Sequence, residues 1–102
     1  MKVFISQPMK GLSDKEILYK RNKIINIIEN TIHEDVEIID SFLEGFKPEG
    51  NIPVAYLGKS ISLLSKADIV YFCEGWENAR GCSIEHLIAT NYGMVIMEEN
   101  NE

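Results

Sequence analysis

Apolar residues in this chain alternate between short unbroken runs and longer stretches where they recur every three or four positions. The first run, Lys2-Val3-Phe4-Ile5-Ser6, reads as a β-strand. A loop follows over residues 7–12, and Ser13-Asp14-Lys15-Glu16 has the spacing of a capping box, which announces a helix. That helix runs to about Glu29, with Ile17, Ile24, Ile25 and Ile28 on one face. Val36-Glu37-Ile38-Ile39 reads as the second strand. Residues 40–51, polar and containing Gly and Pro, make the longest irregular stretch. Asn51 can cap a second helix with Pro53 in its first turn, and Val54, Leu57, Ile61 and Leu64 give it an apolar stripe. A third strand is expected over residues 69–73 and a third helix over about 81–92, with Ile84, Leu87 and Ile88 facing inward. Gly93 is placed to end that helix in a left-handed conformation. Residues 94–97 complete the set as a fourth strand, and the acidic tail 98–102 is expected to fray.

Strands alternating with helices in this order predict an α/β fold, a flavodoxin- or Rossmann-like three-layer sandwich with a four-stranded parallel sheet. The expected strand order is 2-1-3-4, with the switch point between strands one and three. The loops over residues 7–12 and 74–80 then face each other across one crevice.

Composition narrows the function classes. The 102 residues form one domain, 1–102, and 45% hydrophobic content is ordinary for a globular protein. A net charge of −6 argues against a nucleic-acid polymer as partner, though a few local cations suffice for a small anion. The apolar runs are too short to span a membrane. Because Lys2 to Ile5 is already strand-like, no signal peptide is expected, and the expected compartment is the reducing cytoplasm. Cys73 and Cys82, with only His33 and His86 to help them, make no metal pattern, so neither metal nor cofactor is expected. Gly75, Gly81 and Gly93 form neither a dinucleotide fingerprint nor a phosphate loop of the Walker type.

Within that frame, the segment Glu74-Gly75-Trp76-Glu77-Asn78-Ala79-Arg80-Gly81-Cys82-Ser83-Ile84-Glu85-His86 is where chemistry concentrates. Glu85 is either a solvated carboxylate helped by the helix dipole or a nucleophile toward an anomeric carbon. In the second reading it sits beside the buried helix face, near the upper rim of the crevice. Lys10, Arg80 and the helix start Gly81-Cys82-Ser83 outline an anion pocket. Trp76 is either a packing lid or a stacking surface for a base. Cys82 at a helix start could carry a depressed pKa, but with no paired histidine it reads as a small packing residue. His86 adjoins Glu85 yet points about 100° away, so the two make no dyad. Arg21 lies in the middle of an apolar stripe, where a structural ion pair with Asp40 or Asp68 is a better account than ligand contact.

Taken together, residues 3–12, Lys59-Ser60-Ile61, Ala67-Asp68 and the segment from Gly75-Trp76 through Glu85-His86 resemble the nucleoside 2-deoxyribosyltransferase-like superfamily, in particular a branch of short bacterial and phage proteins. The resemblance implies cleavage or transfer at the N-glycosidic bond of 2′-deoxynucleosides or their 5′-monophosphates, through a covalent intermediate on a glutamate matched by Glu85. It implies catalytic roles for Glu85 and Ser60. It implies substrate contacts from Phe4, Ser6, Gln7, Pro8, Met9, Lys10, Gly11, Trp76, Asn78, Arg80, Gly81, Cys82 and Ser83. Arg21 matches an arginine on the family's first helix. The chain departs from the family pattern where Phe4 replaces a tyrosine, Ser60 an aspartate, and Pro8 and Ala79 hydroxyl residues. A serine holds a sugar hydroxyl but protonates a leaving base poorly at neutral pH. The alternative is therefore a non-catalytic nucleotide-binding module, and further behind it a small interaction protein that keeps the sheet for packing alone. The expected partners are a small nucleoside or nucleotide and a second copy of the chain in a homodimer. Base, sugar and phosphate state are left open.

Overall fold

A computed structural model describes residues 1–41 and 45–99. Strands β1 (Lys2–Ser6), β2 (Glu37–Ile38), β3 (Ile69–Phe72) and β4 (Val95–Glu98) form one parallel sheet in the order β2-β1-β3-β4, as the alternation of elements predicts. Helices α1 (Asp14–Thr31), α2 (Ile52–Leu64) and α3 (Arg80–Asn91) cover it, and a single 3-10 turn, Trp76–Asn78, links β3 to α3. None of the described helices is long and apolar enough to cross a membrane.

The period-2 alternation of strands divides the core into two halves. Val3, Ile5, Ile69, Tyr71 and Cys73 face α1 and pack on Ile24 and Ile28. Phe4, Val70 and Phe72 face the other way and meet Leu64 of α2 and Ala89 of α3. Three layers result. Each fully buried aliphatic or aromatic side chain contributes roughly 1.5–3 kcal/mol.

Local signals in the sequence act as expected at the helix ends. Ser13 Oγ accepts from the Glu16 N–H at 3.2 Å, and Glu16 accepts from the Ser13 N–H at 3.4 Å, closing the capping box. Asn51 Oδ1 accepts from the Val54 N–H at 3.2 Å. Gly93 adopts φ +69° after α3, the left-handed stop expected of it.

Several expectations need correction. α1 extends to Thr31 rather than Glu29, and β2 is only Glu37–Ile38. On α2 the expected stripe fades toward the N-terminus: Leu64 is buried, Leu57 and Ile61 are half-buried, and Val54 is exposed. On α3 the inward face is Cys82, Glu85 and Ala89, while Leu87 is 60% exposed. The tail is anchored at its start. Glu99 N–H donates to Phe72 O at 2.8 Å, and its carboxylate takes Lys20 Nζ at 2.9 Å and the Glu74 N–H at 2.8 Å. Burial pushes Glu99 up, but those two bonds together with the Lys20 and Lys23 charges outweigh it and hold its pKa below the usual value. Residues 42–44 of the irregular stretch and 100–102 of the tail lie outside the described residues.

The two-sided core yields a stability contrast. Ile28→Ala, at a fully buried position, is expected to cost about 2–5 kcal/mol in urea unfolding. Ile27→Ala, one residue earlier on the same helix but 41% exposed, should stay within about 1 kcal/mol of the parent.

Candidate functional site

At the carboxyl ends of β1 and β3, Ser6 is the last residue of β1 and continues the inward face set by Phe4. A hydroxyl replaces the apolar side chain there, and two helices answer it. α3 supplies Glu85, in the middle of its buried face, and α2 supplies Ser60, one turn before Leu64. Ser6 Oγ donates to Glu85 Oε1 at 2.7 Å, and Ser60 Oγ donates to Glu85 Oε2 at 2.5 Å. Glu85 is 5% exposed, so it lies on the crevice floor and not at the rim expected from sequence. Burial pushes its carboxyl above the usual 4.5, and the bonds from Ser60 and Ser6 pull the other way without cancelling the rise.

The crevice above this carboxylate has a volume of ≈ 990 Å³. Among the residues expected to bind substrate, Phe4, Ser6, Gln7, Pro8, Met9 and Lys10 line it from the β1 side. Asn78, Arg80, Gly81 and Cys82 line it from the β3–α3 side, with Ser60 and Glu85 between. Gly11 and Ser83 stand outside the lining. Gly11, at φ +83°, serves the wall indirectly. It completes a turn in which the Leu12 N–H donates to Met9 O at 3.2 Å, and that turn presents Lys10. Trp76 does not line the crevice either. Of the two roles open to it, packing is the one observed, with the indole lying on His86 and Phe72.

The start of α3 is unusual. Its N-cap is Ala79, which has no side chain able to accept from the first N–H groups. Ala79, Arg80 and Gly81 all line the crevice, so this uncapped terminus and the Arg80 guanidinium border the same space as Lys10. That combination suits an anionic group. Cys82 has its thiol pushed up by burial. The buried Cys73 thiol is pushed up to about 12. Both are packing residues in the neutral form.

Arg21 is held by hydrogen bonds to neutral groups, with the Asp40 charge nearby. Its Nη1 donates to Ser41 Oγ at 3.2 Å and its Nη2 to Ile39 O at 3.0 Å. Burial lowers its pKa while the nearby charge of Asp40 raises it. Asp68 instead accepts from the Lys2 N–H at 2.7 Å. Since Ser41 lines the crevice, Arg21 braces that wall from within the core.

Sequence reasoning missed the α2 wall, where Pro53, Tyr56 and Leu57 line the crevice. The signal was present: Pro53, Tyr56 and Ser60 are spaced three and four apart, hence on one helical face. On the other side of Gln7 and Pro8 lies a smaller cavity of ≈ 570 Å³, bordered by Tyr19, Lys20 and Glu74. Gln7 Nε2 donates to Ile17 O at 2.9 Å, which fixes this partition.

Comparison with protein families gives a match over residues 1–98 to DUF4406, described as a domain of unknown function. The chain belongs to the DUF4406 family. No curated protein and no solved structure matches it. For this DUF4406 chain the reading of the site therefore rests on its own geometry.

The raised pKa of Glu85 has a stability consequence with a definite sign. Below the ordinary carboxylate range the side chain is neutral in both folded and unfolded chains. As pH rises, the unfolded chain loses the proton first, so folding is progressively penalised until the folded carboxyl ionises as well. Glu85→Gln is expected to melt higher than the parent at about pH 7 and to lose that advantage below about pH 4, as followed by thermal denaturation. An equal or lower melting temperature at neutral pH would contradict the burial account.

Proposed function

We infer that this DUF4406 chain acts on the N-glycosidic bond of a 2′-deoxynucleoside or its 5′-monophosphate. The observation that carries the reading is Glu85 itself, buried on the floor of the crevice with one serine hydroxyl on each oxygen. A carboxylate fixed in this way is oriented for attack on an electrophilic carbon. In the proposed reaction a Glu85 oxygen bonds to C1′ as the C1′–N bond breaks, and the base leaves with the bonding pair. Water or a second base then displaces Glu85 and restores the carboxylate, and the proton it gives up neutralises the departed base anion. Lys10, Arg80 and the open start of α3 hold a 5′-phosphate. Tyr56 takes the part of the base wall that Trp76 does not, and Ser60 bonds a sugar hydroxyl when it turns from Glu85. The resemblance to the nucleoside 2-deoxyribosyltransferase-like superfamily supports the same assignment.

A second reading, nucleotide binding without turnover, is favoured by two observations at the same carboxylate. Ser60 is no acid for a leaving base at neutral pH. In addition, the burial that raises the Glu85 pKa disfavours the anion that must attack.

Released base, measured by chromatography after incubation with 2′-deoxynucleosides and their 5′-monophosphates, separates the two. Turnover is expected to fall about 10³-fold or more in Glu85→Ala. No release from any member, with tight binding of the monophosphates, would replace the enzyme reading with the second. A cytoplasmic home fits the two buried free thiols. The exposed Ile52 and Val54 of α2 and Leu87 of α3 supply apolar surface for a homodimer on that side of the sheet. Sedimentation velocity at assay concentration is expected to show a dimer, and a monomer there would remove this part of the proposal.

A further inference from the structure

The smaller cavity, ≈ 570 Å³ between the start of α1 and the residues that follow β3, has no part in the chemistry at Glu85. Gln7 and Pro8 separate it from the crevice and border both. Strand parity turns Gln7 toward α1, the side on which this cavity lies. Gln7 is 6% exposed, and its amide is only half used. Nε2 donates to Ile17 O at 2.9 Å. Oε1 is the one buried side-chain nitrogen or oxygen among the described residues that has no hydrogen-bond partner. Turning the amide over is no remedy, because Oε1 would then meet Ile17 O, acceptor against acceptor. A buried acceptor left open is a cost to the fold, and folded proteins satisfy nearly all such groups. Here the open acceptor belongs to a residue that borders a cavity.

We propose that this cavity is a second ligand site, which takes a flat heteroaromatic ring whose N–H donates to Gln7 Oε1. The volume suits a molecule of one or two rings. Pro8, Leu12 and Tyr19 supply apolar and aromatic surface for the ring faces. Two of the charged groups at the border are already engaged. Lys20 Nζ is held by Glu99 Oε2 at 2.9 Å, and the Glu16 carboxylate takes the Ser13 N–H and hydroxyl. Lys15 and Glu74 sit at exposed positions, where water solvates their charges. Gln7 Oε1 is therefore the fixed polar anchor of the site, and being an acceptor it selects a donor. A ring of the same shape that carries only acceptors leaves Oε1 open and loses its own hydration besides. Because Oε1 is shut off from solvent, the N–H reaches it by displacing a neighbouring side chain. Leu12 and Tyr19, 43% and 74% exposed, are the lining side chains with room to move. The site stands whichever reading of the crevice holds.

The test titrates the full isotope-labelled chain with indole and, separately, with benzofuran, the same ring frame with oxygen in place of the N–H, and follows amide resonances. Indole is expected to move the signals of Leu12, Lys15, Tyr19, Lys20 and Glu74 saturably, together with the side-chain amide of Gln7. Benzofuran should bind about tenfold more weakly, the loss expected for a buried acceptor left open. Gln7→Met removes the acceptor at similar volume and should bring the two affinities within about twofold of each other. Tyr19→Ala should weaken both probes several-fold. No saturable movement with indole, equal affinity for the two probes in the parent, or movement confined to the crevice residues Ser60, Asn78 and Arg80 would each overturn the proposal. Equal affinity would assign Gln7 Oε1 to a buried water instead. Should Gln7→Met fail to fold, the two probes on the parent chain decide alone. Absence of base release bears on the reaction at Glu85 and leaves this site untouched.

Discussion

The parallel pairing of β1 with β3 at the centre of the sheet is the constraint on which the rest of this structure depends. Its register sets Ser6 level with Phe72, so both strands end together and their loops leave side by side. Strand parity then assigns each side chain of β1 to a face of the sheet. Phe4 and Ser6 face α2 and α3, whereas Val3, Ile5 and Gln7 face α1. A shift of one residue would turn Ser6 toward α1 and leave Glu85 facing an apolar side chain. Buried apolar residues on both faces, Val3, Ile5, Val70 and Phe72 among them, make that slip costly.

Placing Glu85 on the buried face of α3 is unfavourable, and the structure offsets the cost only in part. Two hydroxyls replace the water that the carboxylate loses, yet its pKa still lies above the usual value. A leucine or alanine there would pack the same face without this penalty. Local conflicts of this kind between foldability and chemistry mark functional positions in natural sequences. The Ala79 cap is a second such conflict, since a serine or aspartate would stabilise α3 while occupying the N–H groups that the crevice now borders.

What could be read from the sequence divides along the same line. The four strands, their order and the capped starts of α1 and α2 were legible because strand periodicity and capping chemistry are local. The inward face of α3 was not. Hydrophobicity alone selects Ile84, Leu87 and Ile88, whereas the helix turns Cys82, Glu85 and Ala89 inward, the carboxylate being met there by the Ser6 and Ser60 hydroxyls. Glu85 was therefore singled out as a candidate but placed too near the surface. The role of Trp76 was undecidable because its partner His86, ten residues on, comes beside it only when β3 and α3 pack together. Likewise Lys20 and Glu99 are 79 residues apart, and no local pattern reveals that the acidic tail is pinned at its first residues.

These long-range contacts share a feature that bears on how the site works. Each loop of the crevice is tethered on the side away from the cavity floor. The β1 loop is held through Gln7 to Ile17 of α1, and the β3 loop through Glu74 to Glu99 and through Trp76 to His86. Ser41, on a third wall, is held by Arg21 from inside the core. Of the polar groups that border the open space, Gln7 and Ser41 carry such tethers, whereas Lys10, Asn78 and Arg80 carry none of these. A site built this way keeps its walls in place before a ligand arrives, so that little of the binding free energy goes into ordering the loops.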